Sequence, residues 1–136
     1  MVALAFGAED YCADMGIRRT PGGEDLAHAR AAVAHAARAA DKEAIDGAFM
    51  DLGDEAGLVA DAARARAMGF TGKLLFHPRQ IEPVHRASAP DEKELAWARK
   101  VVAAFDAAGG GLVVVDGRLV DAPVAAQARR ILERAR

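Results

Sequence analysis

The chain lacks the features that mark several classes of protein. It has a single cysteine among 136 residues, Cys12, so no disulfide can form within the chain. No apolar run approaches the roughly 18 residues that a membrane-spanning helix requires. Lys and Arg number 18 against 20 Asp and Glu, which leaves no basic excess for nucleic acid or an anionic membrane. These absences favour a cytoplasmic protein that binds neither nucleic acid nor membrane.

The composition, with 52% hydrophobic and 28% charged residues, is typical of one globular domain. Three short apolar segments predict β-strands, and helical stretches between them predict parallel pairing with the strand ends at one edge. Ligands of parallel α/β sheets and barrels bind at that edge. The predicted strands cover residues 2–6, 43–45 and 73–76. Each is followed by polar residues: Asp10 after the first, Asp46-Gly47 after the second and His77 after the third.

Apolar residues at helical spacing predict helices near residues 24–40 and 57–68. In the first of these, Arg30 is placed on the solvent-facing surface. A third helix is expected from Asp91, which forms a capping-box pattern with Glu94. Valine-rich segments on either side of Asp116-Gly117 predict a β-hairpin with a type I′ turn over 112–120, and Pro123 is expected to open a last helix.

This order of elements predicts an α/β fold that is the C-terminal portion of a TIM (β/α)8 barrel. A complete barrel needs roughly 250 residues. Three strands cannot close one, and standing alone they leave two unpaired sheet edges. We therefore expect three parallel βα units over residues 1–108, followed by a C-terminal β-hairpin and helix over residues 109–136.

Asp10 is a candidate metal ligand. A carboxylate just after a strand can bind Mg²⁺, which takes oxygen ligands and usually needs only one or two protein carboxylates. The structural alternative is a helix-starting or solvated loop acid, which is the commoner role at this position. Both roles remain open from spacing alone.

Asp46, Gly47 and His77 are candidate substrate-binding residues. Gly47 allows a ligand to approach the backbone closely. Pro78 restricts His77 to an extended conformation, from which its ring could donate a hydrogen bond to substrate or phosphate. The alternatives are helix-starting acids after the second strand, preferred for Asp51 and Asp54, and a packed histidine with a satisfied ring.

Asp121 stands two residues before Pro123, where a helix is expected to begin. Its local pattern is that of an N-cap, which stabilises a helix by roughly 1 kcal/mol. Nothing in the neighbouring residues marks it as catalytic.

Together these segments resemble the citrate lyase β-subunit-like family, within the aldolase/citrate lyase superfamily of TIM-barrel acyl-CoA lyases. The resemblance covers essentially the whole chain in the family's order and spacing. The residues that carry it are 6–16 (FGAEDYCADMG), Ala29-Arg30, 44–47 (AIDG) with Asp54 following, 69–81 (GFTGKLLFHPRQI) and 116–123 (DGRLVDAP).

The resemblance implies a Mg²⁺-dependent enzyme that makes or breaks a carbon–carbon bond between an acyl-CoA thioester and a 2-oxo acid. Asp10 matches the family's metal-binding aspartate. Asp121 matches an acid that, in relatives, reaches a neighbouring subunit's site, which implies a catalytic role and a homo-oligomer.

The sequence also departs from the family's pattern. The family's second metal-binding carboxylate and its substrate-binding arginine lie on earlier strands of the barrel. We therefore expect activity only if the missing barrel half comes from another chain or from an upstream region. The alternative is a truncated, catalytically incomplete family member without an enzymatic role.

Overall fold

The structure is a computed structural model that describes residues 2–135. The chain divides into two compact units, one reaching Ser88 and the other beginning at Ala89. Within residues 2–135, no helix is both long enough and apolar enough to cross a membrane.

The first unit contains a parallel sheet of three strands, as predicted. Backbone hydrogen bonds continue beyond the paired residues, since Phe6 N donates to Ile45 O at 2.9 Å and Leu74 N donates to Asp46 O at 2.9 Å. The central strand is the second in sequence. The strands are β1 (Ala3–Ala5), β2 (Glu43–Asp46) and β3 (Gly72–Lys73).

β3 is shorter than the predicted segment because the Gln80 side chain, rather than a neighbouring strand, accepts hydrogen bonds from the backbone N–H groups that follow it. Phe76 N and His77 N both donate to Oε1 of Gln80, at 3.0 and 3.3 Å, instead of continuing the ladder. Gln80 belongs to a 3₁₀ turn at Pro78–Gln80. The strand therefore ends early and turns into the next helix.

Four α-helices accompany this sheet, and the first and last of them were not predicted. Their small residues let helices approach the strands closely: Ala34 and Ala37 pack in one cluster with Ala44 of β2. Asp54 caps the third helix by accepting a hydrogen bond from Gly57 N at 2.8 Å, as preferred from the sequence. The helices are α1 (Ala8–Met15), α2 (Ala27–Ala39, after a 3₁₀ turn at Glu24–Leu26), α3 (Glu55–Ala67) and α4 (Ile81–Ser88).

The second unit is a helix, a hairpin and a helix. The predicted capping box is present, because Glu94 N donates to Asp91 Oδ1 at 2.7 Å and Asp91 N donates to Glu94 Oε2 at 3.1 Å. Asp116 and Gly117 both have positive φ, 48° and 78°, as the type I′ turn requires. The elements are α5 (Glu92–Ala107), β4 (Val113–Val115), β5 (Arg118–Val120) and α6 (Ala122–Arg134).

The division between the units differs from the predicted boundary at residue 108. Helix α5 packs with the hairpin and α6, where Val101 and Phe105 are buried together with Val115 and Val120. In terms of packing, α5 therefore belongs with the C-terminal extension. Its assignment to the barrel, over residues 1–108, stays a prediction.

Candidate functional site

Asp10 lies in the first turn of α1, just beyond β1, and its side chain is exposed. The helix begins after Gly7, whose carbonyl accepts from Tyr11 N at 2.9 Å. A Cβ added at Gly7 would lie 2.8 Å from Oδ2 of Asp10, so the carboxylate folds back over the start of the helix. A negative charge is favourable there because the unpaired N–H groups of the first turn point towards it.

Asp46 ends β2 and is completely buried, with 0% exposure. Arg30 of α2 binds it through two hydrogen bonds, from Nε to Oδ1 at 2.9 Å and from Nη2 to Oδ2 at 2.7 Å. This parallel arrangement is the strong, geometrically specific form of an arginine–carboxylate pair. The charge of Asp46 is thereby compensated inside the first unit.

Two further charged residues complete a buried ion network, defined as Arg30, Asp46, Asp61 and Lys73. Lys73 Nζ donates to Oδ2 of Asp46 and to Oδ2 of Asp61, both at 2.6 Å. Arg30 Nη2 also donates to Oδ1 of Asp61 at 2.8 Å. Two cations thus face two carboxylates, and the network carries no net charge.

The network shifts the pKa values of two of its members, Asp61 and Arg30. Burial alone would raise the pKa of Asp61, but the hydrogen bond and charge of Lys73, together with Arg30, hold that pKa below its usual value. Burial likewise opposes the charged form of Arg30, whose pKa is nevertheless raised by Asp46 and Asp61. Ion pairing therefore outweighs burial and favours the charged forms of Asp61 and Arg30.

The placement of Arg30 on the surface was wrong, since its exposure is 1%. A signal existed in the sequence: Arg30 lies four residues before Ala34 and seven before Ala37, on the buried face of α2. Asp61 and Lys73 were not recognised as candidates either. Asp46 and Lys73 are cross-strand neighbours in the register of β2 and β3, a pairing that only the known strand alignment reveals.

Gly47 is buried directly after β2, where its backbone lies close to Phe6 and Ala8 of the same chain. A Cβ at this position would lie 2.8 Å from Cβ of Ala8 and 3.0 Å from the carbonyl oxygen of Phe6. Lys73 Nζ also donates to Gly47 O at 2.7 Å. Roles for Asp46 and Gly47 in substrate binding stay predictions.

His77 is half-buried and caps the 3₁₀ turn that follows it. Its Nδ1 accepts a hydrogen bond from Arg79 N at 3.1 Å, which places the proton of the neutral ring on Nε2. The buried Gln80 fixes this turn further by donating from Nε2 to Phe49 O at 2.8 Å. The ring therefore has a satisfied nitrogen and a second one able to donate, so the predicted substrate contact stays open.

Asp121 caps α6, because its Oδ1 accepts from Val124 N at 3.1 Å. Its side chain is exposed, and this local contact is the structural role that the sequence indicated. The catalytic role implied by the resemblance stays a prediction.

A cavity of about 300 Å³ opens beside the residues that follow β2. Its lining combines apolar and charged groups from the segment after α1, from the loop after β2 and from α3. They include Arg19, Thr20, Phe49, Met50, Asp51 and Asp61. Among residues 2–135, no three His, Cys, Asp or Glu side chains are grouped so as to hold a metal ion.

Comparison with known proteins identifies the family. The family model for HpcH/HpaI aldolase/citrate lyase matches residues 1–78. The citrate lyase subunit beta of Leuconostoc mesenteroides subsp. cremoris is 42% identical over 136 residues, covering 98% of this chain and 45% of that protein. The mitochondrial citramalyl-CoA lyase of Rattus norvegicus is 35% identical over 133 residues, covering 96% of this chain and 39% of that protein.

Solved structures agree with this assignment. Protein CitE from Mycobacterium tuberculosis, crystallised with magnesium, acetoacetate and coenzyme A, matches with a TM-score of 0.86 at 36% identity. The match covers 96% of this chain and 51% of that one. The chain belongs to the HpcH/HpaI aldolase/citrate lyase family, which confirms the resemblance and the fold class, and it spans about half the length of the relatives it matches.

Proposed function

We propose that the protein forms part of a Mg²⁺-dependent carbon–carbon lyase. The substrate would be a 3-hydroxyacyl-CoA of the citryl-, malyl- or citramalyl-CoA type, and the products an acyl-CoA and a 2-oxo acid. The observation that carries this proposal is the match to protein CitE with magnesium, acetoacetate and coenzyme A, at a TM-score of 0.86. The relatives named citrate lyase subunit beta and citramalyl-CoA lyase support the same class of reaction.

The donor set suits magnesium but is small. Asp10 is an exposed carboxylate at a helix start, and Mg²⁺ commonly uses one or two protein carboxylates while keeping several waters. Asp10 would supply one oxygen ligand, with the remainder from water, substrate and residues of the remaining barrel strands. The bound ion would polarise the oxygen of the substrate and stabilise the negative charge that develops.

The proposed cleavage balances without an added oxidant or reductant. The hydroxyl proton is removed as the new carbonyl forms, the bond between C2 and C3 breaks, and its electron pair passes to the thioester enolate. The enolate then takes a proton at C2 to give the acyl-CoA. His77, with its donor nitrogen, and Gly47 would contact substrate. Asp121, in the site of a neighbouring subunit, would accept the hydroxyl proton and return it to C2 of the enolate.

This scheme needs further strands and more than one subunit. Three parallel strands cannot enclose a barrel site, so the remaining strands would come from another chain or an upstream segment. Action of Asp121 in a neighbouring subunit's site would require a homo-oligomer. A cytoplasmic location is expected, since a single free cysteine suits a reducing compartment.

A second candidate is a non-enzymatic family member. It is favoured by the lack of a complete group of metal ligands among residues 2–135. In that case the chain would retain the fold without the chemistry.

The two candidates differ in an assay of complementation. The 136-residue chain is mixed or fused with the preceding barrel segment of the Leuconostoc citrate lyase subunit beta and given citryl-CoA, malyl-CoA or citramalyl-CoA. We expect release of acyl-CoA and a 2-oxo acid that requires Mg²⁺ and is lost in Asp121→Asn. A correctly assembled barrel that cleaves none of these thioesters would favour the non-enzymatic alternative.

A further inference from the structure

Two consecutive backbone carbonyls after β2 are each held by a cation from elsewhere in the first unit. Lys73 Nζ donates to Gly47 O at 2.7 Å, and Arg19 Nη1 donates to Ala48 O at 3.0 Å. The Lys73 side chain is 3% exposed and that of Arg19 is 20% exposed. These groups define a carbonyl clamp, which consists of Lys73, Arg19 and the carbonyls of Gly47 and Ala48.

The same clamp contacts the beginning of α1. Arg19 Nη1 also donates to Oε1 of Glu9 at 2.8 Å, so one nitrogen joins the first turn of α1 to Ala48. Gly47 packs so closely on Ala8 that even one added carbon would require the backbone to move. The end of β2 and the first turn of α1 are therefore joined by a polar bridge and by direct packing.

Asp10 lies in this first turn, next to Glu9 and two residues after Ala8. Its carboxylate rests over Gly7 at the helix start. The position of that carboxylate therefore depends on where the first turn of α1 lies relative to β2.

We propose that the carbonyl clamp positions Asp10. Lys73 and Arg19 act as positioning residues, since neither is assigned a contact with substrate or metal. The proposal rests on the proposed function in one respect, the role of Asp10 as a magnesium ligand.

The buried ion network fixes the position of Lys73 in the carbonyl clamp. All three donors of the Lys73 ammonium are used, by Asp46, Asp61 and Gly47. Because Asp46 and Asp61 are themselves fixed by Arg30, the ammonium has a fixed position from which to hold the carbonyl of Gly47. Charge balance alone would not require the bond to Gly47.

The first test compares Arg19→Met with Arg18→Met, a neighbouring exposed arginine that is not part of the clamp. Backbone amide shifts are measured by NMR on the full chain. We expect Arg19→Met to shift the amides of residues 8–11 together with residue 48, and Arg18→Met to leave both groups in place. Shifts confined to residues around position 19 would overturn the proposal.

A second pair of variants tests the packing of Gly47 against Ala8 without removing a charge. Gly47→Ala is compared with Gly53→Ala, in the same loop, where an added Cβ meets only the Asp51 carboxylate at 3.3 Å. We expect displaced amide signals at residues 8–11 for Gly47→Ala alone. If Gly47→Ala fails to fold, the arginine pair still decides.

Magnesium titration then separates positioning from general structural damage. Gly47→Ala and Arg19→Met should each weaken Mg²⁺ binding by about tenfold or more, the usual scale for residues that orient a metal ligand. In an Asp10→Asn background the same changes should have no further effect. Equal weakening with and without Asp10 would contradict positioning, whereas Mg²⁺ binding that ignores Asp10→Asn in the parent chain would contradict only the metal assignment.

Discussion

Replacing Lys73 by methionine should be among the most destabilising single changes in the first unit. Methionine retains an apolar stem of similar length but removes the ammonium and its three hydrogen bonds. Asp46 and Asp61, with side-chain exposures of 0% and 6%, would then face Arg30 and the partly exposed Arg64, whose Nη1 lies 3.5 Å from Asp61 Oδ1. One of the two buried cations that compensate these carboxylates would be lost.

Breaking a buried ion pair by removing one partner costs about 3–5 kcal/mol. A whole domain is typically stable by only about 5–15 kcal/mol, so Lys73→Met should leave the first unit marginally stable. Adding Asp61→Asn restores the charge balance while keeping an acceptor for Arg30. The double variant should recover about 0.5–3 kcal/mol, because directly contacting residues couple by this amount.

The assay must report on the first unit, and the single tryptophan, Trp97, lies in α5 of the second. Amide hydrogen exchange of the β2 residues, with urea unfolding followed by circular dichroism, gives the required free energies. The exposed Lys42 beside β2 is the matched control, and Lys42→Met should change stability by about 0.5 kcal/mol or less. A cost below about 1 kcal/mol for Lys73→Met, or a double variant less stable than the single one, would refute the reasoning.

Three further predictions concern single residues. Burial alone would raise the pKa of Asp61, but Lys73 and Arg30 lower it on folding. The stability that ionised Asp61 contributes to the fold is therefore complete above its unfolded pKa near 3.8 and is lost as the pH falls through its lower folded pKa. Asp61→Asn should accordingly flatten the acid limb of a stability-against-pH curve measured by urea unfolding. Asp121→Ala should cost about 1 kcal/mol of stability in thermal or urea unfolding. Asp121→Asn should preserve the cap but lower the turnover of an assembled enzyme by about a hundredfold or more. Unchanged turnover would restrict Asp121 to capping. Burial raises the pKa of the Cys12 thiol, and the charges of Asp25 and Glu9 add to the shift. The thiol should therefore react with Ellman's reagent far more slowly in the native chain than in the denatured chain. Equal reaction rates would contradict its burial.

Local signals were sufficient for much of the fold. The capping box at Asp91, the Asp116-Gly117 turn and the N-cap at Asp121 each depend on residues within three or four positions, and all are present in the structure. The parallel sheet followed from helices lying between apolar segments. Helices α1 and α4 were missed because each is only eight residues long.

The candidate site was less accessible to sequence reasoning. The buried ion network joins α2, β2, α3 and β3, over separations of up to 31 residues. Charged residues are usually exposed, so Arg30 was placed in solvent. Only the tertiary arrangement shows that Asp46, Asp61 and Lys73 satisfy one another at that point, and no local pattern encodes it.

The roles of Asp10, His77 and Asp121 belong to a different category. Asp10 and His77 are candidates because each follows a strand, whereas the catalytic role of Asp121 is implied by the family resemblance alone. His77 and Asp121 each accept a local hydrogen bond from a backbone N–H, and Asp10 is exposed in the first turn of α1.

The most direct test of the central claim is a Mg²⁺-dependent cleavage assay on the completed barrel with Asp10→Asn and Asp14→Asn compared. Asp14 is an exposed aspartate one turn further along the same helix, so both variants remove one negative charge from α1. We expect Asp10→Asn to raise the Mg²⁺ concentration needed for half-maximal cleavage by about tenfold or more, and Asp14→Asn to leave it unchanged. Equal Mg²⁺ dependence in the two variants would contradict the assignment of Asp10 as the metal ligand of a lyase.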